Sequence, residues 1–168
     1  MLYKMVHQPL TDSVVEWSKY SIDDIVCNKF SPQNWNLILR DVGSDRGLAN
    51  FLKDNLIECY ILRECKGNDT VGFIFLLPEC SSKKIVSIHG GGWKHNPYLY
   101  YRGYILMIEH LLYHGIKVRT YCDVVNERAI RFNRSIGFVR YKQINHLVYL
   151  WINLKRLQNR EIYKRFYQ

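Results

Sequence analysis

Three stretches of the chain gather residue types that can do chemistry. The first runs from Ile85 to Arg102, where a strand-like run meets Gly90, Gly91 and Gly92 and a helix-start signal follows at Asn96-Pro97. The first turn of a helix has N–H groups without intrahelical partners and a partial positive charge, so with Lys94, His95 and Arg102 nearby it can hold a diphosphate. The alternative is that Asn96 caps the helix with its own side chain and no ligand is involved. Adjacent glycines suit a bulge or a splayed strand end, because they let the backbone leave regular pairing and let another molecule approach it. The second stretch, Asn126 to Phe138, places Arg128, Arg131 and Arg134 three apart on a predicted helix, as phosphate ligands or as a solvated face. The third is His110 and His114, which share a helix face four apart; His-Leu-Leu-Tyr-His lacks the glutamate of H-E-x-x-H and a third ligand, so no metal is expected.

These residues need elements to position them, and hydrophobic periodicity supplies an order. Residues 3–7 read as a short strand, and Asp12 or Ser13 opens a helical stretch through Val14, Val15, Trp17, Ile22, Ile25 and Val26. Ser31-Pro32 starts a second helix through Trp35, Leu37 and Ile38, and residues 46–53 a third. Residues 57–65 and 71–77 alternate as a hairpin around Lys66-Gly67-Asn68-Asp69, and after a polar turn at Ser81-Lys84 residues 85–89 form a further strand. Tyr98, Tyr101, Ile105, Ile108 and Leu112, spaced three and four apart, mark the clearest helix, with Pro97 at its first position and Gly115 at its end. A strand over 117–123, a helix capped by Asn126 and closed by Gly137, strands over 138–142 and 145–154, and a basic helix from about Lys155 to Phe166 complete the chain. The expected class is α+β, a mixed and mostly antiparallel twisted sheet flanked by helices, in one domain spanning residues 1–168.

Composition bounds the function. With 168 residues, 48% apolar and 14% aromatic, the chain can bury its own core, which excludes disordered and collagenous classes. No apolar run approaches the roughly 18 residues of a membrane helix, so a soluble protein without a membrane partner is expected. Five cysteines separated by 32, 6, 15 and 42 residues fit no C-x-x-C pattern and read as reduced thiols in a cytoplasmic protein. The net charge of +9 is concentrated late: the last 30 residues hold 7 basic and 1 acidic side chain. Such an excess invites a nucleic-acid partner, though a solvated surface or a phosphorylated cofactor accounts for it equally well.

The segment Asn126-Glu-Arg-Ala-Ile-Arg-Phe-Asn-Arg-Ser-Ile-Gly-Phe138 resembles the N-x-x-A-x-x-x-Y-x-x-x-G-F segment of GCN5-related (GNAT) N-acetyltransferases. The strand, long helix, glycine and strand before it stand in the family's order, and the resemblance covers residues 57–154. It implies the GNAT fold, acetyl-CoA as co-substrate and an amine-bearing acceptor, a small molecule or a protein. By the same resemblance His95, Tyr98 and Tyr100 occupy the Q/R, G and G/A positions of the cofactor loop, with Leu99, Tyr101 and Arg102 beside them. Both loop glycines are thus tyrosines. The rest of the implied cofactor set is Ile88, Gly90, Asn126, Ala129, Asn133 and Arg134. Asn133 stands where the family has a tyrosine that protonates the departing thiolate, and an amide cannot be that acid.

For acetyl transfer, backbone N–H groups near Ile88 to Gly90 are the implied oxyanion donors. His89 is the candidate base on its near-neutral ordinary pKa, Glu79 is the next candidate, and Asn126 completes the catalytic set. One of Tyr98, Tyr100 and Tyr101, or solvent, supplies the acid. His89-Gly90-Gly91-Gly92 also matches the H-G-G-G oxyanion segment of esterases, but the chain has no G-x-S-x-G to accompany it. The competing expectation is a catalytically degenerate GNAT-fold binding protein, taking nucleic acid through its basic C-terminal third.

Overall fold

The computed structural model describes residues 10–20, 58–79, 84–92 and 97–167. Within them lie strands β1 (Leu10–Thr11), β2 (Val15–Tyr20), β3 (Glu58–Glu64), β4 (Thr70–Pro78) and β5 (Ile85–Gly92), then helix α1 (Pro97–Tyr113), β6 (Lys117–Asp123) and α2 (Glu127–Ile136). β7 (Val139–Ile144), β8 (Leu147–Ile152) and the short helices α3 (Leu154–Gln158) and α4 (Glu161–Tyr167) follow. The strands form one eight-stranded sheet in the order β1-β2-β3-β4-β5-β6-β8-β7. Every neighbouring pair is antiparallel except β5 and β6, which run parallel. A parallel pair cannot be joined by a tight turn, and α1 is the crossover between its two strands. The expected mixed, mostly antiparallel sheet flanked by helices is the observed one.

Period-two alternation decides which residues meet α1. Val15, Trp17, Tyr60, Leu62, Ile74, Leu76, Val86, Ile88, Val118 and Leu150 belong to one core with Tyr100, Tyr104, Ile105, Ile108 and Leu111 of α1. The buried stripe of α1 is therefore turned from the expected one: Tyr98 is 47% exposed, while Tyr100 and Tyr104 are buried. Cys59, Ile61, Phe73, Phe75 and Leu77 point to the opposite face and are also buried. Cys59, Cys65 and Cys122 are free thiols, and burial pushes Cys59 up to about 12, with the Glu58 charge adding to it.

The helix expected from Asp12 or Ser13 is instead strand β2 over its described part. Asp12 Oδ1 does accept the N–H groups of Val14 and Val15, each at 2.9 Å, which is the capping signal the sequence displays. It closes a turn rather than a helix, because Ser13 takes φ 75° and Asp12 N–H returns to Val15 O. Val15 and Trp17 then alternate with less buried Glu16 and Ser18, and β2 pairs with β3 over six residues. The expected basic C-terminal helix breaks into α3 and α4 at Asn159-Arg160. The strand expected over 3–7 and the helices over 31–38 and 46–53 lie outside the described residues.

One polar knot ties the ends of the sheet layer to α1. Asp12 Oδ2 accepts Arg102 Nε at 2.5 Å and Tyr167 Oη at 2.8 Å, and the Arg102 guanidinium stacks on Phe166 and Tyr167 at 5.6 and 5.5 Å. Burial alone raises the Asp12 carboxyl, but the Val15 and Val14 N–H groups, Arg102 and Tyr167 outweigh it and hold it below the ordinary carboxylate value. Removing the anion leaves Arg102 partly buried without its partner, so Asp12→Ala is expected to cost roughly 3 kcal/mol at neutral pH, read from chemical denaturation against wild type.

Candidate active site

The parallel pair at the centre of the sheet is short. β5 pairs with β4 along its whole length to Gly92, but with β6 only where Ile85, Val86 and Ser87 face Lys117, Val118 and Arg119. Beyond Ser87 the two strands separate. Thr120 Oγ1 crosses the start of the gap to donate to Ile88 O at 2.8 Å, a side chain taking the place of the missing ladder bond. The edge of β5 from Ile88 onward thus has no ladder pairing toward β6, so its amides can serve a ligand, as the expected oxyanion site at Ile88 to Gly90 requires.

Tyr100 occupies the α1 face of this region. A Cβ built on Gly72 would fall 2.6 Å from Tyr100 Cδ2, on Gly90 2.9 Å from Tyr100 Oη, and on Gly92 2.8 Å from Tyr100 Cγ. No real side chain tolerates such distances, so glycines on two neighbouring strands make room for one ring. The ring is further held by Phe132 at 5.5 Å and Tyr104 at 5.6 Å. Its hydroxyl has no hydrogen-bond partner among the described residues, and burial raises its pKa far above the ordinary tyrosine value, so it stays protonated. The two neighbouring tyrosines lie elsewhere: Tyr98 packs edge-on against Phe166, and Tyr101 sits against Phe132 and accepts from Ser135 Oγ at 3.3 Å. Leu99 is buried in the core, and Arg102 is engaged with Asp12 rather than presented to a phosphate. His95, with Lys94 and Asn96, lies outside the described residues.

On α2, Asn126 is the N-cap and accepts Ala129 N–H through Oδ1 at 3.2 Å. Asn133 is buried, donates to Ala129 O at 2.9 Å and accepts Tyr104 Oη at 3.5 Å, so its amide ties the helix to the core. Phe132 and Ser135 meet α1, whereas Ile130 and Arg134 line a cavity with β7. Arg134, expected at the cofactor, therefore faces away from α1. Arg128 falls on the α1 flank, four residues before Phe132, and exposed Arg131 lies between that flank and Arg134, although the sequence pattern favours Arg134. Only the three-dimensional placement of the helix separates these arginines.

His89 and Glu79 are on the face opposite Tyr100. His89 is flanked by Phe75 at 5.7 Å and, across the gap, by Tyr121 of β6 at 4.6 Å. Its Nε2 is buried without a partner, and burial pushes its pKa down to about 3, well below the near-neutral value expected of a base. Glu79 accepts Ser87 Oγ at 2.6 Å and Arg119 Nη1 at 2.9 Å. Ser87 is three residues before Gly90 on an extended strand, about 10 Å away, so Glu79 is an ion-pair partner at the closed end of the gap. The His110 and His114 rings lie 4.3 Å apart, tilted by 41°, and no group of three His, Cys, Asp or Glu among the described residues surrounds a metal-sized site.

The fold as a whole is shared with solved acetyltransferase structures. Apo FdhC, a nucleotide-linked sugar GNAT, superposes with TM-score 0.66 at 11% identity over 96% of this chain and 99% of that one. The chain has the GNAT fold. Spermidine N-acetyltransferase from Vibrio cholerae in complex with CoA and spermine gives TM-score 0.61 at 12% identity, over 88% of this GNAT-fold chain and 100% of that one. A GNAT-family acetyltransferase from Bacillus anthracis gives 0.60 at 11%, over 87% and 98%. At the level of sequence no family model and no curated protein matches. In the described part of this GNAT-fold chain no helix is long and apolar enough to cross a membrane.

The state of His89 predicts an acid sensitivity. In the unfolded chain the imidazole takes up a proton near its ordinary pKa of 6.5, whereas the folded one resists until about 3. Its contribution to stability is therefore full above pH 6.5 and is lost as pH falls toward 3. Melting temperatures measured across that range should fall more steeply for wild type than for His89→Leu.

Proposed function

We propose that this GNAT-fold chain transfers an acetyl group from acetyl-CoA to a primary amine of a small molecule or protein, within a single domain that works in the cytoplasm. The observation that carries the reading is the gap beyond Ser87, with a β5 edge unladdered toward β6 on one side and a protonated Tyr100 hydroxyl at Gly90 that has no partner among the described residues. Acetyl-CoA brings an activated thioester whose leaving group is a stable thiolate. The chain's own residues must hold the acyl oxygen, supply a proton and admit the amine.

In this reading the β5 backbone at Ile88 to Gly90 donates to the acyl oxygen, a preorganised arrangement worth about 3 kcal/mol in the transition state. Tyr101 on α1, with the Asn126 cap and Ala129 of α2, forms the walls of the cofactor channel, while Tyr98, Leu99 and Asn133, engaged with Phe166 and the core, do not reach it. Arg128 and Arg131 take the phosphate role first given to Arg134 and Arg102. Tyr100 is the general acid. It is the protic group at Gly90 on the face that carries α2, and it fills the role that the Asn133 amide lacks. His89, uncharged at neutral pH, accepts a hydrogen bond from the amine, so the acceptor enters as the free base; the proton that the amine nitrogen sheds as the amide forms leaves through solvent and replaces the one Tyr100 gives to the CoA thiolate. Glu79 is not retained as a base, because Arg119 neutralises it.

The net charge of +9 disfavours a polycation such as the spermine held by the Vibrio cholerae enzyme and favours an amine that also bears an anionic group. The rival reading, a binding protein without catalysis, draws on the tyrosines that replace both loop glycines. Calorimetry separates the two: a dissociation constant of about 10 µM would stabilise the fold by about 2.7 kcal/mol at about 1 mM acetyl-CoA. No interaction at millimolar acetyl-CoA, together with salt-sensitive oligonucleotide binding, would replace the enzymatic reading with its rival. Tyr100→Phe keeps the ring over the glycines; it should bind acetyl-CoA as wild type does while kcat falls about 100-fold.

A further inference from the structure

The arginine turned away from the cofactor channel opens onto a second site. Arg134 of α2, Arg140 of β7 and Arg160 between α3 and α4 line one cavity of about 490 Å³, with Val124, Ile130, Phe138, Val139 and Val148 as its apolar walls. Among the described residues that line it, none is acidic. Arg134 and Arg160 have no ion-pair or hydrogen-bond partner through their side chains among the described residues, and Arg140 is steadied by Gln143 Oε1 at 2.5 Å. Nor do the guanidiniums serve as caps for α2, because its last carbonyls already accept the N–H groups of Gly137 and Phe138. Three arginines lining one cavity whose described walls hold no carboxylate make it a cationic site suited to an anion, and the guanidinium fork matches the oxygens of a phosphate. The volume lies within the usual range for small-molecule sites, about 300 to 1,000 Å³.

We propose that this cavity binds a phosphate monoester with an apolar body of nucleoside size, the phosphate on the three guanidiniums and the body against Ile130, Phe138 and Val139. The site is separate from the cofactor channel, because α2 stands between them: Phe132 and Ser135 face α1, and Ile130 and Arg134 face β7. It needs no acetyltransferase activity, so its test is independent of the proposed reaction.

Uridine 5′-monophosphate is a suitable probe, since it offers a phosphate and a flat ring but no adenine for a CoA site to recognise. Calorimetry on the full chain should give binding that persists under saturating CoA and weakens with added salt. Inorganic phosphate should compete, and uridine without its phosphate should bind at least 10-fold more weakly. The doubly substituted Arg140→Ala/Arg160→Ala chain, changed only at exposed positions, should melt as wild type does and lose at least 10-fold in affinity. Absence of binding at about 5 mM uridine 5′-monophosphate overturns the proposal, as does affinity unchanged in the double variant.

Discussion

The structure depends on a parallel strand pair that stops after three residues. Because β5 and β6 run the same way, the chain between them has to cross over the sheet, and α1 is the crossover that buries one face. Because their pairing ends at Ser87 and Arg119, the strands part toward their C-terminal ends, which is where open-edged backbone becomes available to a ligand. A longer ladder would fasten the sheet more firmly and leave no channel. Thr120, bonded to the Ile88 carbonyl, marks where pairing gives way to opening.

Aromatic packing then fills the α1 side of that opening with unusual economy. Glycines at 72, 90 and 92 are read most directly as sites of backbone freedom, yet in the structure they are absences of side chain that admit the ring of Tyr100. The same ring braces Tyr104 and Phe132, so α1, α2, β4 and β5 share a single contact. At the start of α1 a tyrosine thus puts a fixed phenol where a glycine would leave open backbone. The acid proposed for the reaction and the packing of the sheet against its helices are consequently one residue.

Much of the fold was legible because its signals are local. The hairpin of β3 and β4, the Pro97 start of α1, the Asn126 cap and Gly137 close of α2, and the β7–β8 pair all rest on residues within a few positions of one another. What escaped depends on partners distant in the chain. Asp12 has the side chain of a helix cap and uses it on the right N–H groups, but pairing with β3 decides that the next residues extend. Arg102 and Arg134 each carry a plausible charge for a phosphate. Only Asp12, 90 residues earlier, and the flank of α2 on which β7 packs show that their side chains are directed elsewhere. His89 has the right residue type for a base, but burial sets its pKa, and the rings it lies among, Phe75 and Tyr121, are outside the local motif.

The bond between Tyr167 and Asp12 joins residues 155 positions apart. A contact of that span closes a very large loop, and it contributes nothing to the early collapse of the hairpins. The Arg102 environment is thus complete only where α4 meets the β1–β2 turn, so a change at either end of the described chain uncovers the same guanidinium.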